Sequence, residues 1–426
     1  MLEGSRALQV SYIYANLLGN EAGRAIYDGD AMIASDGEML AVGPRLTFHD
    51  FQLTPAVIDI QRTRTSRERD GSYQPSMDEE GLVTAHFEFP DCASQPDSSD
   101  SADWESGDCC KQEEFARAVS LGLFDYLRKS HSHGFVVSLS GGADSAAVAT
   151  LCKLMVDFAW HQLGPTGLQK KLSYLASDPV PSSPGEWTRR LLACVYQSTR
   201  NSSETTRSAA ENLAASLGAE FYEFDVDALV EGYVKTVEEA IGRELSWQTD
   251  DIALQNIQAR SRAPGIWLLA NLRGALLLAT SNRSEAAVGY TTMDGDTCGG
   301  ISPIAGIDKA FLRTWLCWME TEGPEGAEPV TELAAINKQQ PTAELRPPGE
   351  GQTDESDLMP YVVLDAIERL AIRDKLTPVE IYQSLASEYE TLQLAGWIRR
   401  FFQLWSRNQW KRERYAPSFH LDDENL

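Results

Sequence analysis

The chain has 426 residues, 42% of them hydrophobic, and a formal net charge of −26; that length predicts two or three domains with real cores. So acidic a balance weighs against a large nucleic-acid footprint, because phosphate contacts need clustered Lys and Arg. Seven cysteines lie scattered with no CxxC pair and no Cys/His metal spacing, which predicts reduced thiols in a cytoplasmic protein, Cys109-Cys110 being an exposed pair.

In chain order, residues 1–85 read as a β-rich piece: SYIYANLLGN, AIYDGDAMIASDGEMLAVGP and QLTPAVIDIQRT are strand-like, with Gly-Asn, Asp-Gly and Gly-Pro turns, and a helix within 50–70. Residues 86–113, Ser-rich and acidic, read as a linker. From 114 the pattern alternates. EFARAVSLGLFDYLRKS is a predicted helix, FVVSL a strand and AAVATLCKLMVDFAWHQL a helix. A polar, Pro-bearing insert at 164–188 leads to the buried strand LLACVYQST. Next comes a helix capped near Ser203 and ended by Gly218, then the strand FYEFDV, a long helix over 251–273 and the strand ALLLAT at 275–280. Strands separated by helices predict an α/β fold, a doubly wound parallel sheet with helices on both faces. Ligands of such sheets bind beyond the carboxyl ends of the strands, where Ser140, Thr199, Arg200 and Thr280 collect. WLLANLRGALLLA, the most apolar stretch, is interrupted by Asn271, Arg273 and Gly274 and is too short and polar to span a bilayer. No basic region followed by an apolar core opens the chain, so no secretory signal is expected.

The most informative run is Phe135 to Ser145, an apolar strand feeding Ser138, Leu139, Ser140, Gly141, Gly142, Ala143, Asp144 and Ser145 at a helix start. Glycines let backbone N–H groups close on an anion, and a helix N-terminus adds about half a positive charge. The loop is shorter than GxxxxGK[ST] and lacks its lysine. Ser138, Ser140 and Ser145 supply hydroxyls, and Asp144 offers oxygen to magnesium; the plain alternative is a tight turn with Asp144 as a cap. SGGxDS resembles the pyrophosphate loop of ATP pyrophosphatases, which split ATP into AMP and pyrophosphate while adenylating a carboxylate or carbonyl oxygen.

A second constellation, Thr280-Ser281-Asn282-Arg283-Ser284-Glu285 through Tyr290, then TTMDGDTCGGISPIAGIDKAFLR, sharpens this. With IALQNIQARSR, KQQPTAEL and QWKRERYAPSF, most of residues 115–420 resembles NAD synthetase, of the glutamine-dependent type, with an adenine nucleotide alpha-hydrolase-like fold. The resemblance implies that magnesium-ATP adenylates the nicotinate carboxylate of deamido-NAD and that ammonia displaces AMP to give NAD. It implies Asp144, Glu285 and Lys309 as catalytic residues, the first two as magnesium ligands. ATP would meet residues 138–145, Thr280, Lys309 and Thr342. Deamido-NAD would meet Asn256, Arg260, Glu285, Tyr290, Thr291, Thr292, Met293, Asp296 and Lys411. Locally, Glu285 fits helix-dipole compensation as well, and Asn256 with Arg260, at i,i+4, fits an ordinary exposed face. Ammonia-dependent members commonly carry Lys-Tyr-Gly-Asp at positions 293–296 and an Asp where Gly300 stands, so nicotinate contacts depart from the family pattern.

YANLLGNEAGRAIYDGDAMIASDGEMLAVGPR resembles the last part of a nitrilase-type glutaminase. Such a domain needs a Glu, a Lys and a nucleophilic Cys, yet no cysteine precedes Cys92. The reading is therefore a partial nitrilase-like fragment at 1–85, a linker at 86–113 and a synthetase domain at 114–426. Expected partners are ATP, deamido-NAD and ammonia, a second copy in a homodimer, and a separate glutaminase subunit, with no nucleic acid or membrane. Residues 323–358, bearing Thr342, read as a lid over ATP or as a disordered loop. The alternatives to this function are another pyrophosphate-loop amidotransferase, of GMP- or asparagine-forming type, and a non-catalytic nucleotide-binding remnant.

Overall fold

The computed structural model describes residues 1–72, 85–88, 102–175, 179–340, 345–347, 355, 358–421 and 424. It comprises two units, Met1–Gly19 with Tyr27–Cys110, and Asn20–Ile26 with Lys111–Leu426.

The first unit opens with α1 (Leu2–Leu8) and holds an antiparallel sheet of β1 (Ser11–Ala15), β2 (Ala31–Ser35) and β3 (Glu38–Val42), in that spatial order. The Asp-Gly signal is a hairpin turn as read: Asp36 and Gly37 take φ of 50° and 82°, the left-handed pair that a two-residue hairpin needs. β1 is an edge strand and all five of its residues are exposed. QLTPAVIDIQRT forms no strand. Its end enters α2 (Ile60–Arg69), because the Asp59 carboxylate accepts the N–H groups of Gln61 and Arg62 and starts a helix. Within the stretch read as a linker, residues 103–106 form a helical turn, and Trp104 is buried with the Arg45 guanidinium 5.3 Å from its ring centre.

In the second unit the chain runs through α3 (Cys110–Ser130), β4 (Phe135–Ser138), α4 (Ala143–Lys171), α5 (Pro184–Leu191), β5 (Leu192–Ser198) and α6 (Glu204–Leu217). It continues through β6 (Glu220–Asp225), α7 (Asp227–Ile241), α8 (Trp247–Ser261), α9 (Ala263–Arg273) and β7 (Leu276–Leu278). The four strands are parallel in the order β6-β5-β4-β7. Phe135, Val136, Val137, Ala193, Cys194, Val195 and Leu277 are at most 1% exposed, as apolar runs covered on both faces must be. Val136, Ala193, Val195 and Leu277 pack on Ile266 and Ala270 of α9, while α4 and α6 contact the strands as well. The doubly wound α/β class read from the sequence is therefore the fold observed.

Three local readings change. The insert at 164–188 is largely helical: α4 kinks at Gly164 (φ 65°), just before Pro165, and runs on to Lys171, and Ser183 then caps α5. The long helix over 251–273 is two helices, since Pro264 in the first turn of α9 starts a new one. α7 went unread. None of its residues is buried, so no core face marked it.

Winding proceeds from β4 to β5 to β6, then returns to the far side of β4 at β7. The carboxyl ends of β4 and β7 are thus neighbours at a topological switch point, the crevice where such sheets take ligands. Beyond β7 come α10 (Arg283–Val288), α11 (Lys309–Thr321), α12 (Leu333–Asn337), α13 (Tyr361–Ile372), α14 (Pro378–Leu385), α15 (Thr391–Arg407) and α16 (Gln409–Arg412). Val288, Met359, Tyr361, Leu364, Ile367, Ile381, Leu394, Ile398 and Phe401 form a second core there. Among the described residues no helix is long and apolar enough to cross a membrane.

Candidate active site

The loop after β4 is shaped by its own side chains. Ser145 Oγ donates to the Gly142 carbonyl at 3.2 Å and accepts the Ser140 N–H at 3.1 Å, while Ser140 Oγ accepts the Gly142 N–H at 3.3 Å. Gly141 has φ 82°, and a Cβ there would lie 2.2 Å from the Thr206 carbonyl oxygen. Only glycine lets the loop press so closely against α6. No side chain caps α4, so its first N–H groups face the crevice with the positive end of the helix dipole. Ser138 Oγ accepts a hydrogen bond from Gln197 Nε2 at 3.0 Å, and Leu139 is fully buried in the core.

Asn282 caps α10 through the Glu285 N–H, which turns Glu285 toward the end of β4. Lys309 Nζ, 3% exposed, sits 2.5 Å from Asp144 Oδ2 and 3.0 Å from Glu285 Oε1. Asn282 Nδ2 donates to the other Asp144 oxygen at 3.0 Å, and the Tyr361 hydroxyl donates to Glu285 at 3.2 Å. Burial pushes the Asp144 carboxyl up to about 6, against the pull of the Lys309 charge. Beneath, Ser284 Oγ accepts the Lys309 N–H and donates to Asp365, which also accepts the Ala310 N–H at 2.9 Å. Burial and the charge of Asp308 push Asp365 up to about 7. α10, α11 and α13 are thereby tied around the lysine.

One cavity of about 240 Å³ is lined by Ser138, Ser140, Gly142, Ala143, Asp144, Ser145, Thr280, Glu285, Tyr290, Asp296 and Lys309 among the sequence-derived residues. Asn256, Arg260, Thr291, Thr292, Met293 and Lys411 are not in its wall. They bind one another instead: Thr292 Oγ1 donates to Asn256 at 3.0 Å, Arg260 Nε to the Met293 carbonyl at 3.0 Å, and the Asp296 carboxylate accepts the Thr292 N–H at 2.7 Å. Lys411 Nζ donates to the carbonyls of Gly289 and Thr291, at 2.7 and 2.8 Å, and burial lowers its pKa. Here it holds the end of α10 and the turn that follows. Thr342 lies outside the described residues. Of the strand-end residues, Thr199 and Arg200 do not line the cavity, because Arg200 is drawn out by Asp227 and Glu231.

Sequence reasoning missed Tyr196, Gln197, Arg262 and Arg313 in the wall. Arg313 stands at i+4 from Lys309, a spacing that would have found it. Arg262 marks the break before Pro264; burial raises the Asp296 carboxyl above its usual range, and the Arg262 charge opposes that rise in part. Among the described residues no three His, Cys, Asp or Glu gather as a metal cluster. Two carboxylates sharing one cation beside a phosphate-shaped loop still fit magnesium, which takes one or two protein carboxylates and completes its shell with water and phosphate.

A parallel sheet whose switch point carries an SGGxDS loop, with two acids bridged by a buried lysine, defines a pyrophosphate-loop nucleotide protein. Residues 115–415 match the family model for NAD synthase, and the chain belongs to that family. It is 29% identical to the glutamine-dependent NAD(+) synthetase of Oryza sativa subsp. indica over 96% of this chain and 59% of that protein. To the human glutamine-dependent NAD(+) synthetase it is 27% identical, over 97% and 62%. The crystal structure of a glutamine-dependent NAD(+) synthetase from Cytophaga hutchinsonii superposes with TM-score 0.76 at 41% identity, covering 99% of this chain and 62% of that one. The chain thus spans about three fifths of the length of the relatives it matches.

Proposed function

We propose that the chain amidates deamido-NAD to NAD at the expense of ATP, through an adenylated intermediate, releasing AMP and pyrophosphate, with ammonia as nitrogen donor. The observation that carries this is the meeting of Asp144 and Glu285, from the first turns of the helices that follow two adjacent strands, on Lys309 in one cavity. A carboxylate is a poor electrophile, so its oxygen must first be made a leaving group. The nicotinate oxygen attacks the α-phosphorus of ATP, and the bond to the bridging oxygen breaks with its electron pair leaving on pyrophosphate. The SGG loop and the start of α4 offer backbone N–H groups to that charge. Lys309 adds a cation at the same spot, and Asp144 with Glu285 would hold magnesium, whose part is to neutralise phosphate charge. Ammonia then adds to the acyl carbon and gives up a proton to solvent, and the C–O bond to AMP breaks with its electron pair leaving on AMP. Thr280 and Thr342 serve ATP in this reading. Tyr290 to Met293, Asp296, Asn256, Arg260 and Lys411 form the shelf for deamido-NAD.

The proposal extends to the division at 1–85, 86–113 and 114–426, and to a homodimer in the cytoplasm. Leu229, Tyr233, Val237 and Ile241, each 47–53% exposed, form an apolar stripe along α7 that supports a second copy packing there. The test is incubation with magnesium-ATP, deamido-NAD and ammonium. NAD and AMP are expected with ammonium. Failure to form AMP with ammonium would overturn it.

A further inference from the structure

Three cationic side chains line the cavity, and two of them have acidic neighbours. Lys309 lies between Asp144 and Glu285, and Arg262 acts on Asp296. Arg313, half-buried on the same face of α11 one turn after Lys309, makes no hydrogen bond or ion pair with any described residue. A guanidinium partly withdrawn from water without an anion is a cost that folding alone does not offset. Its fork of donors suits the two oxygens of a phosphate group. α11 packs on α4, whose first residues shape the anion loop, and Gln339 and Gln340 close the wall nearby. The other ionic side chains of the wall are two cations, Lys309 and Arg262, and three carboxylates, Asp144, Glu285 and Asp296, none of them paired with Arg313. An arriving polyphosphate therefore finds Arg313 uncommitted.

We propose that Arg313 binds the β- and γ-phosphates of ATP and keeps hold of the pyrophosphate as it leaves. This rests on the adenylating reaction above. As the oxygen–α-phosphorus bond forms and the bridging bond breaks, the new charge appears on the β-phosphate oxygen, and the guanidinium meets it with two parallel N–H donors.

The test titrates inorganic pyrophosphate, ATP, AMP and deamido-NAD, with magnesium, into the full chain and its R313Q and R313K variants. R313Q should weaken pyrophosphate and ATP about ten- to a hundredfold, the worth of one charge-assisted contact, and leave AMP and deamido-NAD within about twofold. R313K should recover part of the loss. Both variants should melt like the parent, since no partner among the described residues is removed. Pyrophosphate affinity unchanged in R313Q would overturn the proposal, as would a loss confined to deamido-NAD or a parent chain that does not bind pyrophosphate. If the parent binds pyrophosphate in an Arg313-dependent way yet releases no AMP with deamido-NAD and ammonium, the reaction assignment fails and the anion site stands.

Discussion

Replacing Gly141 by alanine strikes the loop at the point of least freedom. The backbone there has φ 82°, and the added Cβ would sit 2.2 Å from the Thr206 carbonyl oxygen and 2.8 Å from its carbon. That is more than an ångström inside ordinary contact, and the obstructing atom is helix backbone that cannot rotate away. The left-handed conformation alone costs an L-residue about 1–2 kcal/mol. Forcing the loop off α6 adds overpacking, for a total loss of about 2–4 kcal/mol. The larger effect falls on chemistry, since displacing a phosphate-holding loop by about 1 Å lowers kcat/KM for ATP about a hundredfold. Gly142→Ala is the matched control: a Cβ there meets only Ser140 Oγ at 3.4 Å, with no strain in φ. The assay pairs thermal melting with AMP release under saturating ammonium and deamido-NAD. G141A is expected to melt well below the parent and G142A beside it. Parent-like activity in G141A, or equal destabilisation of both variants, would refute the argument.

Lys309→Met leaves two carboxylates facing each other without their cation, a loss of about 3–5 kcal/mol for a broken buried pair, and AMP formation should fall to background. Without the lysine, Asp144 loses the charge that opposes burial. The variant should therefore regain stability as pH falls and Asp144 protonates; denaturant melts that are flat in pH would contradict this. Asp365 gives a second pH effect. Its pKa rises from 3.8 to about 7 on folding, so the folded chain keeps a proton that the unfolded chain releases. Stability from this group is full below about pH 4 and is lost as pH rises through about 7, by at most about 4 kcal/mol. Asp365→Asn should flatten that decline in melts between about pH 5 and 8, and an unchanged slope would exclude Asp365 as its source.

The strand, the SGGADS turn and the helix after it were legible because their signals are local. An apolar run, glycines and a helix-favouring stretch lie within a few residues, and the loop's own serines then fix its shape. The parallel sheet followed from alternation alone. Glu285 and Lys309 were legible only through likeness to a family, since nothing nearby in sequence separates Glu285 from a residue that merely complements a helix dipole. Helix α7 escaped because its apolar stripe faces no core of its own chain, and the break at Arg262 because one proline outweighed a continuous helical pattern.

By itself the sequence determined the four strands of the parallel sheet and that an anion loop stands at a strand end, because backbone propensity and glycine stereochemistry act over neighbouring residues. Only the tertiary structure decided which charges meet. Residues 144, 285 and 309 are brought together by the reversal of winding between β4 and β7, which places two strand ends side by side. The same packing set Lys411 on the carbonyls of Gly289 and Thr291 and left Arg313 facing the cavity. Ion pairs form over a few ångströms of space whatever the distance along the chain, so their partners are fixed by packing and not by sequence spacing.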